Sequence, residues 1–471
     1  MDRPLLLSKV HTVVSCDDEE QVFRNVDLLC VDGRISEIAA AGSTRAPQNA
    51  EIIDAQNLIV YPGLINTHHH FFQSLVRNQL ALDWSTLTLV QWLERVYKVF
   101  TLINEDCIYH ASRVSLAELA KSGCTTAFDH QYCFNRHAGS RLVDRQFEAA
   151  TEVGLRLVVG RGTNTLPSSE GSTMPDEMVE TTSIFLRDCE RLVDSYHDPE
   201  PFSMRALVLA PCQPVNCLEE TFLEALVFAR AKKLRLHTHL CEGENALMQE
   251  RWGQRSLDWC EDRDIVGADI WFAHGWEMTE AELQRMGQTG TGLAHCPAAM
   301  CLVGDGITNL AAANAFGVPI GFGVDGQASN DNSNLLECIR LAYLLQCLGA
   351  KDFTHPLPQP QQFLRFATRG GAELLGRPEL GQLRVGAAAD FFAVDSRRAD
   401  FAATLHDPTL IPVKVGIPSP VDLTVAAGEV IWRDGAFTRI DEHEVTAAAN
   451  TVYNSVILGS KVLATSRVAL G

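Results

Sequence analysis

The sequence contains no hydrophobic run long enough to cross a membrane, because a spanning helix needs about 20 consecutive apolar residues. The N-terminal region offers only Leu5-Leu6-Leu7, which is also too short for the core of a signal peptide. Internal repeats, low-complexity tracts and long runs of charge are absent as well. These absences predict a protein that neither spans a membrane nor carries a secretion signal.

The sequence has fewer basic than acidic residues. The 39 Lys and Arg residues stand against 59 Asp and Glu residues, which gives a formal net charge of −20. Nucleic acids and anionic membranes would be repelled by such a protein. We therefore expect neither as a partner, whereas the charge says little about a small neutral ligand.

Paired cysteine motifs are missing too. The chain has 14 cysteines, but they are scattered and none belongs to a Cys-x-x-Cys pair. This distribution favours free thiols in a reducing compartment over a disulfide framework. We therefore expect a cytoplasmic protein.

The 471 residues are enough for a large barrel and a smaller domain, and 46% hydrophobic with 21% charged residues is ordinary for a soluble enzyme. Residues 1–57 and 376–438 read as short strands separated by turns such as Asp32-Gly33. They predict a small β-sandwich domain built from both terminal segments. Residues 439–471 predict a helical tail that packs on the barrel or contacts another subunit, and we expect a homo-oligomer.

Between these ends, residues 58–375 alternate between strand and helix patterns. Amphipathic helices are predicted, for example, at 219–230 and 334–345. Eight strands, each followed by a helix, predict an α/β fold of the (β/α)8 barrel type. The alternative is an open doubly wound sheet, which would not need metal-type residues at its strand ends. The predicted strands are 58–66, 124–130, 155–161, 205–211, 234–239, 269–274, 291–295 and 318–325.

Side chains that bind metals stand at the ends of four of these runs. Neutral imidazoles and a carboxylate are the ligands that a zinc or iron site needs. A barrel delivers its catalytic side chains at these strand ends, and His-x-His on a strand places both rings on one face. The residues are His68 and His70 after the first run, His239 in the fifth, His274 in the sixth and Asp325 in the eighth.

Several motifs follow one another along the chain: Pro62-Gly-Leu-Ile-Asn-Thr-His-His-His70, His239-x-x-Glu242, His274, His295-Cys-Pro297 and Asp325. With these motifs the chain resembles the amidohydrolase superfamily over nearly its full length. Within that superfamily it is similar to the branch that deaminates purines, pterins and triazines. The resemblance implies a hydrolase that acts on C–N bonds other than peptide bonds.

The resemblance also implies a metal site and catalytic roles. One divalent metal, zinc first and iron second, would be held by His68, His70, His239 and Asp325. Two-metal relatives carry a modified lysine on strand four, and the run 205–211 has no lysine. Asp325 would take a proton from water, and His274 would help to orient that water. Glu242 would protonate a ring nitrogen and help to pass a proton to the leaving amine.

Four side chains are candidates for contact with the substrate: Gln73, Trp92, His130 and Asn330. Gln73 could bond a ring carbonyl or a ring nitrogen. Trp92 could stack on a flat ring or pack in the core. His130 could face the pocket or support a ligand, and Asn330 could serve only to fix its loop.

The leading hypothesis for the reaction is hydrolytic removal of an amino or alkylamino group from a hydroxylated s-triazine. Many purine-deaminating relatives follow His-Cys-Pro with a Ser-Asn pair, whereas Ala298-Ala-Met300 stands here. The apolar replacement suits an alkyl substituent better than a purine. The alternatives are deamination of 8-oxoguanine, guanine or isoxanthopterin, and a non-catalytic scaffold, which the intact ligand set and Glu242 disfavour.

Overall fold

The structure is a computed structural model that describes residues 3–79, 89–304 and 306–460. Its strands fall into an N-terminal group, a middle group and a C-terminal group. The N-terminal strands are β1 Leu5–Val14, β2 Val22–Val31, β3 Arg34–Ala40, β4 Glu51–Asp54 and β5 Leu58–Pro62. The middle strands are β6 Leu64–Asn66, β7 Cys124–Gln131, β8 Arg156–Thr163, β9 Arg205–Pro211, β10 Leu236–Leu240, β11 Ile270–His274, β12 Gly292–His295 and β13 Ile320–Phe322. The C-terminal strands are β14 Phe391–Asp395, β15 Leu423–Ala426, β16 Glu429–Arg433 and β17 Ala436–Phe437.

The helices lie mainly between the middle strands. The predicted helices at 219–230 and 334–345 correspond to helices Glu219–Lys232 and Leu335–Gly349. In chain order the α-helices are α1 Leu89–Phe100, α2 Glu105–Lys121, α3 Leu142–Val153, α4 Thr182–Tyr196, α5 Glu219–Lys232, α6 Asn245–Trp252, α7 Ser256–Glu261, α8 Glu280–Thr289, α9 Pro297–Val303, α10 Leu310–Ala315, α11 Leu335–Gly349, α12 Pro360–Arg365, α13 Gly371–Leu374 and α14 Glu442–Val452.

The eight middle strands form a closed parallel barrel in the order β6 to β13. The ring closes where Phe322 of β13 pairs with Asn66 of β6. Closure excludes the open doubly wound sheet. Inside the barrel, Phe128 and Trp271 pack edge to face with 4.9 Å between ring centroids, and both are fully buried. The interior is therefore filled below the strand ends, where the barrel opens.

The nine remaining strands form a separate sheet in the order β17-β16-β15-β14-β5-β1-β2-β3, with β4 beside β1. Five strands come from the N-terminal segment and four from the C-terminal segment, and β14 joins the two groups by pairing with β5. The predicted fold class, a (β/α)8 barrel with a second β domain built from both ends, is confirmed.

The predicted strand 58–66 was wrong in one respect, because it is two strands that belong to different sheets. β5 lies in the terminal sheet and β6 opens the barrel. The chain passes from the terminal sheet to the barrel at Gly63, where a Cβ atom would lie 2.1 Å from Oγ1 of Thr125. Only glycine, which has no Cβ atom, allows the backbone at residue 63 to approach the side chain of Thr125 this closely. This contact lies at the junction between the sheet and the barrel.

A buried ion pair also joins the sheet to the barrel. Nε of Arg156, in β8, lies 2.8 Å from Oδ2 of Asp390, just before β14, and each side chain is 2% exposed. The C-terminal tail docks on the barrel through α14, where Glu442 and Glu444 bond Lys121 and Arg113 of α2. Residues 461–471 of the predicted tail lie outside the described part of the chain. None of the helices that the structure describes is both long and apolar enough to span a bilayer.

Candidate metal centre and active site

The side chains with metal-binding chemistry meet at the carboxyl ends of the barrel strands. His68 and His70 follow β6, His239 lies in β10, and Asp325 comes three residues after β13. All four are at most 6% exposed. The structure therefore brings together residues that are up to 257 positions apart, between His68 and Asp325.

The distances among these atoms suit a single cation. Nε2 of His70 lies 3.1 Å from Nε2 of His239. Oδ1 of Asp325 lies 3.4 Å from Nε2 of both His68 and His70. Two nitrogen ligands at about 2.0–2.1 Å from a tetrahedral zinc ion are roughly 3.3 Å apart.

The hydrogen bonds of the three rings show which nitrogen is available for a metal. Nδ1 of His70 bonds the carbonyl oxygen of His130 at 2.8 Å, and Nδ1 of His239 bonds that of Cys212 at 2.7 Å. A carbonyl can only accept, so both rings carry the proton on Nδ1. Their Nε2 atoms therefore present lone pairs to the centre.

Another histidine holds His68 in the same tautomer, with the proton on Nδ1. Nδ1 of His237 donates to the carbonyl oxygen of Trp271 at 3.0 Å, so Nε2 of His237 is an acceptor in the neutral ring. That Nε2 lies 2.9 Å from Nδ1 of His68, which must donate. Nε2 of His68 is then unprotonated, and it is buried without a hydrogen-bond partner in the described part of the chain. Such an orphaned acceptor fits a metal ligand.

The protonation of the centre agrees with this role. Burial lowers the pKa of both His68 and His70 well below the ordinary value, with a further contribution from neighbouring histidines. Burial likewise lowers the pKa of His239. Neutral imidazoles are the form that binds a metal, so the site suits a divalent cation.

His274 and Asp325 both adopt the left-handed backbone conformation, with φ of 79° and 64°. Such angles are unfavourable for residues with a Cβ atom and concentrate at functional sites. The Asp325 carboxylate is held by the N–H of Gly326 at 2.6 Å and the hydroxyl of Ser329 at 3.0 Å. Its orientation toward the centre is therefore set by its own loop.

Glu242 stands above this centre at the mouth of the pocket. Its Oε1 lies 3.4 Å from Nε2 of His274, and its side chain is 23% exposed. Burial raises the pKa of Glu242 well above its ordinary value, and the nearby carboxylates of Asp325 and Glu244 add to the rise. A raised pKa lets a carboxyl group keep its proton to higher pH, which suits a proton donor.

Two of the four predicted substrate contacts line the pocket, namely Gln73 and Trp92. Both are largely buried, at 2% and 6% exposure. The lining combines aromatic and aliphatic side chains with polar ones and with the metal-type residues His70, His239 and Asp325. Its lining residues are His70, Gln73, Trp92, Leu93, Tyr97, Tyr132, Thr173, Cys212, Gln213, Val215, His239, Glu242, Gly243, Glu244, Leu247, Val303, Asp325 and Ser329.

The other two predicted contacts lie elsewhere. The His130 ring packs behind the ligands, stacked on His239 with 4.7 Å between ring centroids, and its Nε2 donates to the carbonyl oxygen of Ala210 at 2.7 Å. Asn330 donates to the carbonyl oxygen of Val324 at 2.6 Å and so holds the loop that carries Asp325. Neither is among the residues that line the pocket in the described structure.

Sequence reasoning missed His237, Tyr132 and Glu244. His237 had a signal, because His237-Thr238-His239 has the two-residue spacing that places both rings on the inner face of a strand. Tyr132 and Glu244 follow β7 and β10, and nothing in their local sequence distinguishes them from surface residues. Ala298, Ala299 and Met300, on which the preference for an alkyl substituent was based, are not among the described residues that line the pocket. Val303, further along the same segment, is.

Comparison with known proteins agrees with this geometry. Residues 59–431 match the family described as Amidohydrolase family. The chain belongs to the amidohydrolase family. The match covers the barrel and the junction with the terminal sheet, and the predicted superfamily and hydrolase class are confirmed.

Individual amidohydrolases show similarity over nearly the whole chain. The chain is 53% identical to hydroxydechloroatrazine ethylaminohydrolase of Pseudomonas sp. (strain ADP), over 99% of this chain and 98% of that protein. It is 36% identical to 8-oxoguanine deaminase of Pseudomonas aeruginosa, over 92% and 95% of the two chains. The crystal structure of atrazine chlorohydrolase from Arthrobacter aurescens TC1 complexed with zinc superimposes with a TM-score of 0.89 at 29% identity, covering 95% of this chain and 100% of that one.

Proposed function

We propose that this amidohydrolase removes an alkylamino or amino group from a hydroxylated s-triazine by hydrolysis. The observation that carries the proposal is a pocket whose lining combines metal-type ligands with the side chains of Trp92, Leu93, Tyr97 and Val303. The 53% identity to hydroxydechloroatrazine ethylaminohydrolase supports the same substrate class. In the reaction a ring carbon gains an oxygen from water and loses an amine.

We propose one divalent metal ion per chain, with zinc as first choice and iron as second. The ligands would be His68, His70, His239 and Asp325. The three histidines offer nitrogen atoms within 4.8 Å of one another, and Oδ1 of Asp325 is 3.4 Å from Nε2 of two of them, which supports this set. The zinc-complexed atrazine chlorohydrolase supports zinc. When bound, the ion would supply the Lewis acidity that makes water nucleophilic near neutral pH.

Side chains of the protein would carry out the proton transfers. Asp325 Oδ2 would accept a proton from the attacking water, and His274 Nε2 would hold that water by a hydrogen bond. Glu242, whose pKa is raised by its surroundings, would donate to a ring nitrogen as the carbon becomes tetrahedral. The same carboxyl would help to return a proton to the leaving amine, which departs poorly without one.

The substrate ring would lie among the polar and apolar side chains that line the pocket. Trp92 would offer a flat surface to the ring or to its alkyl substituent, and Gln73 would bond a polar ring atom. Burying an ethyl group could contribute roughly 1.6 kcal/mol at about 0.8 per CH₂, about a tenfold preference or slightly more. We also propose that His130 and Asn330 act indirectly, by supporting a ligand and the Asp325 loop.

Deamination of 8-oxoguanine, guanine or isoxanthopterin is the second candidate. It is favoured by the 36% identity to an 8-oxoguanine deaminase and by 32% identity to isoxanthopterin deaminase over 94% of both chains. A scaffold without catalysis is disfavoured by the complete ligand set and by Glu242.

The experiment that separates these candidates measures amine release from a panel of heterocycles. It compares kcat/KM for an N-ethylamino hydroxytriazine, its free-amine analogue, guanine, 8-oxoguanine and isoxanthopterin. The triazines should give the highest values, and the Glu242→Gln variant reports any contaminating activity. If a purine or pterin gives a kcat/KM about a hundredfold above that of the triazines, that heterocycle becomes the assigned substrate. If no compound releases an amine, the non-catalytic scaffold is favoured.

We propose that the protein acts in the cytoplasm, which is supported by its 14 free thiols, 12 of them buried. We also propose a homo-oligomer. Exposed apolar side chains on the barrel helices support it, notably Val227 of α5 at 71% exposure and Leu348 of α11 at 69%.

A further inference from the structure

A second buried carboxylate, Glu244, lies in the pocket wall and has no role in the reaction described above. It is 4% exposed. Its Oε1 accepts hydrogen bonds from the N–H of Cys241 at 2.6 Å and the hydroxyl of Ser256 at 2.5 Å. Its Oε2 accepts from the N–H of Glu242 at 2.6 Å and from Nε2 of Gln213 at 3.2 Å. A carboxylate has about four acceptor positions, so these four donors fill it.

This arrangement fixes the amide of Gln213. An ionised carboxylate has no proton to donate, so Gln213 turns its NH₂ group toward Oε2 of Glu244. The amide oxygen of Gln213 then remains for the pocket, which this residue lines. No protein group within the described ranges donates to that oxygen. Glu244 therefore fixes the orientation of the Gln213 amide, so that the amide oxygen is an acceptor for the substrate.

Gln73 is fixed in the opposite sense. Its Oε1 accepts from the N–H of Ala328 at 3.1 Å, and its Nε2 donates to the hydroxyl of Tyr132 at 3.4 Å. The remaining N–H of Gln73 and the hydroxyl proton of Tyr132 are donors at the pocket. The pocket thus holds one set of donors and one separate acceptor.

We propose that Gln213 is a specificity-determining residue that accepts a hydrogen bond from a ring N–H of the substrate, with Glu244 as the residue that positions it. The inference rests on the proposed function and deepens it. A hydroxylated triazine in its lactam form carries a carbonyl oxygen beside a ring N–H. The donors of Gln73 and Tyr132 match the carbonyl, and the oxygen of Gln213 matches the N–H.

The substrate class that follows is a ring lactam with a free N–H. An O-methylated ring keeps the same alkylamino groups but has no such N–H to donate. A buried polar group left without its partner weakens binding by about 10–100-fold. The enzyme should therefore prefer the lactam over its O-methyl ether, and Gln213 should be responsible for that preference.

The test compares an N-ethylamino hydroxytriazine with its O-methyl ether on wild type, Gln213→Met and a control, Gln288→Met. Gln288 is an exposed glutamine of α8, so it reports the general effect of the substitution. Each compound is measured by kcat/KM and as a competitive inhibitor of the other, so the ether need not be turned over. Thermal unfolding midpoints verify that all variants fold.

For Gln213→Met we expect a loss of about 10–100-fold with the lactam, mainly in KM and the inhibition constant. The ether should change by less than about threefold. Glu244→Gln should reduce the same lactam-to-ether ratio although Gln213 is intact. Equal losses for both compounds, or no loss for either, would overturn the proposal.

Failure of this inference can be distinguished from failure of the proposed function. If wild type releases no amine from any triazine, the triazine reading fails by that result alone. The same variants are then measured with the lactam heterocycle that is turned over and its O-methyl ether. If none is turned over, the dissociation constants of the hydroxytriazine and its ether are compared by calorimetry, and a preference that Gln213→Met does not reduce overturns the inference.

Discussion

Nδ1 of His68 lies 2.9 Å from Nε2 of His237, although the two residues are 169 positions apart in the chain. His237 is in turn held by the carbonyl oxygen of Trp271. This relay sets the proton on Nδ1 of His68 and leaves its Nε2 for a metal. Hydrogen bonds of this kind, made behind the ligands, determine affinity as well as geometry.

Replacing His237 by Phe should therefore weaken metal binding. Phenylalanine fills a similar volume but cannot accept the proton of His68, which frees that ring to adopt the wrong tautomer. We expect a loss of about 10–100-fold in metal affinity, measured by competition with a chelator. His237→Gln can present an oxygen to His68 and should recover part of the loss. Unchanged affinity in His237→Phe would show that the relay has no effect on the metal.

Removing a ligand should have a larger effect. In His239→Ala three ligands remain, so the ion should be lost together with activity. Elemental analysis of the wild type should give close to one zinc or iron per chain, and the variant should give much less. Two tightly bound ions per active chain would contradict the single-metal site.

Glu242→Gln should keep the metal and lose most turnover. Glutamine matches the shape of glutamate but cannot carry a proton, and groups of this kind typically contribute about 10²–10⁴-fold to the rate. The measurement is kcat together with metal content, and Glu250→Gln, at an exposed position of α6, is the matched control. A loss below roughly tenfold would remove Glu242 from the proton-transfer role.

The sequence allowed the barrel and the position of the metal-type residues to be predicted, because parallel strands of a barrel end at one rim. A predicted ligand at the end of a strand, such as His239, is therefore expected at that rim. The surroundings of each side chain could not be predicted in this way. His130 also ends a strand, but His239 from another strand stacks on it, and only the fold determines which ring faces the pocket.

The error in the strand predicted at 58–66 has a different cause. Residues 58–65 are mostly apolar and read as one run, and the Pro62-Gly63 turn signal at the switch between the sheets was passed over. Gly63 marks this switch, because Thr125 of a distant strand occupies the space of a side chain. Glu244 was missed because its four donors come from three separate segments.

The ion pair between the barrel and the terminal sheet predicts a strong effect on stability. Asp390→Asn leaves the buried guanidinium of Arg156 without its counter-charge, which should cost about 3–5 kcal/mol in the free energy of unfolding. Denaturant unfolding provides the measurement. Asp264→Asn is the control, because Asp264 pairs with Arg230 while 82% exposed and should cost less than about 1 kcal/mol. Similar effects of the two changes would contradict the role of burial.

Asp129 predicts a dependence of stability on pH. Its side chain is fully buried, and among the described residues it accepts hydrogen bonds only from neutral donors, the N–H of Phe71 at 2.5 Å and the amide of Gln146 at 2.6 Å. Burial raises the pKa of Asp129 from 3.8 to about 7, against the opposing effect of these hydrogen bonds. The folded protein therefore holds a proton that the unfolded chain has released over this range of pH.

Because the folded state binds the extra proton, the contribution of Asp129 to stability is full below about pH 4 and declines as the pH rises to about 7. The total decline is roughly 4 kcal/mol at about 1.4 kcal/mol per pKa unit. Asp129→Asn keeps the acceptor for Phe71, lets the Gln146 amide turn, and cannot titrate. Its stability relative to wild type should rise between pH 5 and pH 8, measured by denaturant unfolding in one buffer series. A difference that stays constant over that range would mean that Asp129 is charged in the folded protein at pH 5, and its burial would then need a cationic partner that the described residues do not supply.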